Sequence, residues 1–196
     1  MLLTEEKGLE EFVRTDPNDN SWLGAVLDLG EYYATHGFEY SMKVEHKIIP
    51  SEQEKFDDKY RTDCSTYVTA SLYYYAKANG SERMMQDFSS QLNTNALMGI
   101  VNNDGVYNGV KYFEVVNINN AAAGDILVTG EMKNGKWTGH TEVYAGTTND
   151  DGEVMVYNCG STEFIKEAGA TATTHVFSEY SCLRPIPPEE VQKIDG

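Results

Sequence analysis

The chain has 196 residues, 15 Lys and Arg against 31 Asp and Glu, and a formal net charge of −16. Such an acidic balance argues against phosphate backbones and anionic membrane surfaces as partners held by charge, so neither nucleic acid nor membrane is expected. The length suits one domain with a sizeable core, no run approaches the roughly 18 apolar residues of a membrane span, and the Met1 to Glu6 start lacks the basic residues of a secretory signal.

In chain order, Glu5 to Arg14 is expected as a short surface helix. Ser21 to Thr35 is expected as a second, with Trp22, Val26, Leu29 and Tyr33 at helical spacing. His36-Gly37 reads as its C-cap, where the helix dipole explains a histidine without catalysis. Phe38 to Tyr60 is polar, contains Pro50 and keeps no period, so it reads as a loop or arm, and His46 within it receives no role. Thr62 to Ala78 is the clearest helix, with Asp63 as N-cap, Asn79-Gly80 as stop, and no Pro or Gly between. Its spacing puts Cys64, Val68, Ser71, Leu72 and Tyr75 along one buried stripe. A thiol in the first turn meets the unpaired N–H groups and the positive end of the macrodipole, a setting that favours a thiolate. The same position suits a small buried hydrophobe, and the helix alone leaves both readings open.

Ser81 caps another expected helix through Phe88, and Ser89 to Asn108, rich in Asn and Gly, reads as irregular chain beside a cleft. From Val110 the pattern changes to short β-type runs: Lys111 to Ile118, Asp125 to Val128, Thr141 to Gly146, Glu153 to Tyr157, Thr173 to Phe177 and Cys182 to Leu183. Helices followed by about six strands imply an α+β domain with helices packed on one antiparallel sheet. Residues 1–37 are expected to pack on the same domain as 38–184, and the Pro-rich 185–196 to form a tail. Cys64, Cys159 and Cys182 make no regular framework and read as mostly reduced, with a Cys159–Cys182 bridge left open. No Cys-x-x-Cys or His-x-x-x-His spacing calls for zinc, and the acidic loops 16–19 and 149–153 lack the ligand order of a calcium loop, so no metal or organic cofactor is expected.

A thiol nucleophile needs a base. His140 opens the strand-like run Gly139 to Gly146, whose alternation puts His140, Glu142 and Tyr144 on one face. A hairpin through Asn149 to Gly152 brings back Val154 to Asn158. Asn158 shares the His140 face if it pairs with Glu142 and not if the turn is a tight Asp151-Gly152; the sequence leaves that register open. Cys64, His140 and Asn158 would supply nucleophile, base and orienting group. Glu142 shares the His140 face and is open as a second partner for the imidazole, with a solvent-facing strand residue the favoured reading, and His175 is expected as structural.

Three ordered segments carry a resemblance. Asp63-Cys64-Ser65-Thr66-Tyr67-Val68 resembles the nucleophile motif of the NlpC-type cell-wall cysteine peptidases. Ala123 to Val128 resembles the Gly-Asp turn and strand before the family's histidine, and Gly139 to Gly146 its histidine strand; Val156-Tyr157-Asn158 falls where its third polar residue sits. The resemblance spans about Phe38 to Leu183. It implies a papain-like fold and hydrolysis of peptidoglycan stem peptides, with Cys64, His140 and Asn158 catalytic and Tyr40, Asp63 and Ser65 binding substrate. The sequence departs from the family pattern at Thr66, where the family has Gly, and at Glu142, where it has a small residue. The related cysteine-histidine amidohydrolases share these residues and cut at the sugar–peptide junction, so an amidase is the rival enzyme. A non-catalytic binding or virion structural module is the rival of another class. The start without a secretory signal favours a phage lysin, a virion-associated lysin or a delivered effector acting on the bacterial wall.

Overall fold

A computed structural model describes residues 8–193. Within them α1 (Trp22–Thr35), β1 (Glu39–Tyr40), β2 (Arg61–Thr62), α2 (Cys64–Ala78), α3 (Glu82–Asp87) and α4 (Thr94–Asn102) come first. Then follow β3 (Val106–Tyr107), β4 (Val110–Lys111), β5 (Phe113–Val116), β6 (Ile126–Lys133), β7 (Lys136–Thr148), β8 (Val154–Tyr157), α5 (Thr162–Glu167), β9 (Ala170–Ala172), β10 (Ser181–Pro185) and β11 (Gln192–Lys193). The architecture is α+β, with the helices chiefly ahead of a six-stranded antiparallel sheet ordered β5-β10-β6-β7-β8-β9. None of the helices among the described residues is long and apolar enough to cross a membrane.

The helix starts are set by short polar side chains. Ser21 accepts from the Gly24 N–H, Asp63 from Thr66 and Asn93 from Ala96, each satisfying an amide that lacks a partner in its own helix. His36 ends α1 as expected, its Nδ1 2.8 Å from the Tyr32 carbonyl and its ring stacked on Tyr32. Helix α2 is buried on nearly every side: only Tyr73, Lys77 and Ala78 escape. Its polar residues tolerate this because Thr69 and Ser71 donate to carbonyls one turn back and Tyr67 donates to the Val26 carbonyl of α1, all at 2.7 Å. Leu72, fully buried, is a suitable probe of that packing, and Leu72→Ala costs about 2–5 kcal/mol.

The helices and one sheet face enclose Val26, Leu29, Val68, Leu72, Leu97, Ile126, Val128 and Val143. A smaller cluster of Leu127, Val156, Tyr180 and Cys182 fills the other face. Alternation along β6 delivers Ile126 and Val128 to one cluster and Leu127 to the other, so a strand covered on both faces reads as a continuous apolar run. Asp125, buried at the turn into β6, pairs with the partly exposed Arg184 of β10 at 2.8 Å.

Several expectations are corrected. Residues 8–14 of the expected first helix are irregular, and its start, Glu5 to Lys7, lies outside the described residues. The stretch expected to be irregular after Ser89 holds α4: Leu97 and Ile100 bury one side against β6 and β7, which outweighs the low propensity of Gly99 and the asparagines. Helix α5 was also not expected. Thr173 to Phe177 is not a strand; pairing stops at Ala172, and the Thr173 hydroxyl reaches Glu142. The tail is not free, since β11 pairs with β4. Cys159 and Cys182 lie in the two separate clusters and are free thiols.

Candidate active site

Asp63 sets the position of Cys64. Its extended backbone opens α2, and its Oδ1 accepts the Thr66 N–H at 2.8 Å and the Ser65 hydroxyl at 3.1 Å. The Gln91 side-chain amide donates to both Asp63 oxygens and to the Ser65 hydroxyl, and the buried His46 Nε2 lies 3.8 Å from Oδ2. Asp63 and Ser65 are thus already engaged in building the helix start, and Gln91 braces both. Tyr40 stands beside them, because β1 runs parallel to β2 with Tyr40 opposite Thr62. Burial first, then the negative charge of Cys64 and Asp63, pushes its phenol up to about 12.

His140 lies where β7 and β6 run on past their neighbours, paired with Thr129, and is almost fully buried. Its Nε2 is 3.0 Å from Oε2 of Glu142. A carboxylate only accepts, so the ring proton there belongs to Nε2, and Nδ1 is left for the thiol. Burial disfavours a charged imidazole, but hydrogen bonds to Cys64 and Glu142 and their negative charge outweigh it and push His140 up to about 9. Both neighbours thus favour the protonated ring beside the Cys64 sulfur.

Glu142 is not the solvent-facing residue that the usual exposure of a strand glutamate favoured. It is fully buried, and its carboxylate takes a full set of donors. Oε2 accepts from His140 and from Asn158 Nδ2 at 2.9 Å; Oε1 accepts from the Tyr180 hydroxyl at 2.7 Å and from the Thr173 hydroxyl. These bonds and the His140 charge offset burial and hold the carboxyl below its ordinary range, so it is ionised. A buried carboxylate without such partners would take up a proton instead.

The register of β8 on β7 is the one that brings Asn158 to the His140 face: Val143 pairs with Tyr157, and one step further Asn158 faces Glu142. Asn158 reaches the ring through Glu142, while its Oδ1 accepts the Gly160 N–H. Gly160 closes the ring edge so tightly that a Cβ there would stand 2.8 Å from both His140 Cε1 and Asn158 Oδ1. The ring face is covered by His175, stacked at 4.3 Å between centroids and 8° between planes.

Cys64, His140, Asp63, Tyr40 and, through Glu142, Asn158 therefore converge on one place. Sequence reasoning held Glu142 as a second candidate partner of His140 but favoured a solvent-facing residue, took His175 as structural, and missed Gln91, Gly160, Thr173 and Tyr180. The signal for Glu142 was that alternation sets it on the His140 face. Beside His140 lies a groove of about 420 Å³ lined by Thr129, Glu131, Thr138, His175 and Glu179. Cys159 stays close enough to Cys64 for the latter's charge to raise its own buried thiol further. Chemically, a thiol at a helix start beside an imidazole whose Nε2 proton is held by Glu142 is equipped for attack on a carbonyl and proton delivery to the departing group. Comparison with protein families, curated proteins and solved structures finds no match to this chain.

Proposed function

We propose that this protein is a cysteine hydrolase of papain-like architecture that cleaves peptide bonds in peptidoglycan stems. The observation that carries the chemistry is the buried Cys64 at the start of α2 beside His140, whose far nitrogen is held by the ionised, buried Glu142. The papain-like reading is supported by the order of parts: thiol helix first, then an antiparallel sheet with the imidazole on one strand and an orienting polar residue on the next. The substrate class is supported by the three ordered segments that resemble the wall peptidases.

In the mechanism that follows, the Cys64 sulfur attacks a carbonyl carbon, and N–H groups in the first turn of α2 stabilise the resulting oxyanion. His140 gives its proton to the departing amine, leaving a thioester on Cys64. The neutral ring then takes a proton from water, whose oxygen displaces the sulfur and releases the acid. Glu142 keeps the proton on Nε2 throughout, so that Nδ1 is the nitrogen that exchanges it.

Incubation with purified muropeptides and mass spectrometry tests the reading. Stem cleavage at the γ-linked D-glutamate releases a diamino-acid amine and leaves a dipeptide on the muramic acid. Bare lactyl-muramic acid with a new N-terminal alanine would replace the endopeptidase with an amidase, and no product at all would overturn the hydrolase.

A further inference from the structure

The second face of the His140 ring belongs to a residue that the mechanism above does not use. His175 sits after β9, in a segment that leaves the sheet at Ala172 and returns to it at Ser181. Three contacts bring this segment onto the site. The Thr173 and Tyr180 hydroxyls donate to Oε1 of Glu142, and between them the His175 ring lies on His140, 8° from parallel. The Thr173 hydroxyl also accepts the His175 N–H at 3.2 Å, so the bond to Glu142 and the placement of His175 are mechanically linked.

We propose that His175 is a positioning residue for the Cys64–His140 pair: its ring is the wall that keeps the imidazole in the plane where Nε2 meets Glu142 and Nδ1 meets the thiol. The other walls act at the ring's edges, Glu142 on Nε2 and Gly160 at Cε1, where rotation about the Cβ–Cγ bond is resisted by one hydrogen bond and one close carbon. A parallel ring at stacking distance adds a steric stop over the whole face, because rotation would drive one ring into the other. Burial first, then the charge on His140, pushes His175 below the ordinary histidine range, so it meets the imidazolium as a neutral ring. The charged and titratable groups facing the pair are Cys64 from α2, Glu142 on the same strand, and Tyr180 and Glu179 from the returning segment. Across the groove Glu131 is paired with Lys133 at 2.6 Å. The proposal rests on Cys64 and His140 being the reacting pair and on nothing about the substrate.

The test is an NMR titration of the His140 Cε1–H in the free protein, assigned by its loss in His140→Gln. Wild type should titrate at about 9. In His175→Ala a freed ring loses its bonds to Cys64 and Glu142, and the midpoint should fall by at least about one pH unit toward the ordinary histidine value. His175→Phe, flat and unable to ionise, should restore the wild-type midpoint to within about 0.3 unit. An unchanged or higher midpoint in His175→Ala overturns the proposal, since opening the face to water without freeing the ring favours the imidazolium. A His175→Phe midpoint as low as that of His175→Ala also overturns it. His175 is exposed and outside both apolar clusters, so neither variant threatens the fold. The experiment uses no substrate, so a negative result with muropeptides leaves it standing, and the reverse holds too.

Discussion

Glu142 and His140, two residues apart on one strand, form a buried ion pair with Nε2 3.0 Å from Oε2, and Asn158, Thr173 and Tyr180 all donate to that same carboxylate. The carboxylate occupies the orienting role that sequence reasoning gave to Asn158, and Asn158 supports the carboxylate.

That hierarchy sets an order of mutational effects. Glu142→Gln keeps the shape but removes the charge and permits the wrong tautomer, so kcat should fall by about a hundred-fold or more with KM little changed. Asn158→Ala should cost about ten-fold, because His140 keeps its own bond to Glu142. Equal losses in the two variants would put Asn158 and Glu142 on the same footing and contradict the hierarchy.

Cys64 should be the thiol on which turnover depends. Cys64→Ala should abolish activity while leaving the circular dichroism spectrum and Tm near wild type. Iodoacetamide should label Cys64 ahead of Cys159, which burial raises well above the ordinary thiol range, and of Cys182, which burial pushes up to about 12. Peptide mapping of a short alkylation reads the order directly; first labelling of Cys159 would contradict the assignment.

Stability should depend on pH through His140. Its pKa rises from about 6.5 unfolded to about 9 folded, so its contribution is fully present below pH 6.5 and is lost as pH climbs through 9. The wild type should therefore lose up to about 3 kcal/mol between those limits relative to His140→Gln. The depressed Glu142 carboxyl is the same ion pair seen from its other end: its share is present above the ordinary glutamate range and lost on acidification, and the two are not summed. Urea midpoints at pH 6, 8 and 10 measure the alkaline loss, and parallel curves for the two proteins would show that the pair is not coupled to folding.

Gly160→Ala tests the tightness of the ring edge. The added carbon would stand 2.8 Å from both His140 Cε1 and Asn158 Oδ1, and Gly160 lies outside the positive-φ region, so the backbone accepts alanine and the conflict falls on the ring and on the Asn158 amide that supports Glu142. A displaced imidazole should lower kcat by about ten-fold or more with little change in Tm. A wild-type rate would show that the ring shifts without cost.

The thiol helix was legible because everything that defines it is local: a capping aspartate, an uninterrupted run and an Asn-Gly stop. The histidine strand was legible from alternation. Helix α4 was not, because its stability comes from Leu97 and Ile100 meeting a sheet that lies later in the chain. Glu142 was misjudged for the same reason. A glutamate on a strand is ordinarily solvated, and half of the donors that make it a buried acceptor, Thr173 and Tyr180, are brought back from 31 and 38 residues away. The face-on contact of His175 depends on a segment that leaves regular pairing, where no period announces which way a side chain points.

The place of β10 in the sheet bears on how the protein is made. This strand lies between β5 and β6, although β6 to β9 all precede it in the chain. During synthesis the thiol helix and the histidine strand emerge with the flank of β6 unpaired, an open edge prone to joining other chains. Thr173, His175 and Tyr180 arrive just ahead of the strand that covers it. Closing the sheet and completing the shell around Glu142 are therefore one late folding step, joined by contacts of long sequence separation that form slowly. A nascent chain stalled before Ser181 would carry Cys64 and His140 without the donors that hold the Glu142 carboxylate, so the site would take its final form only with the finished sheet.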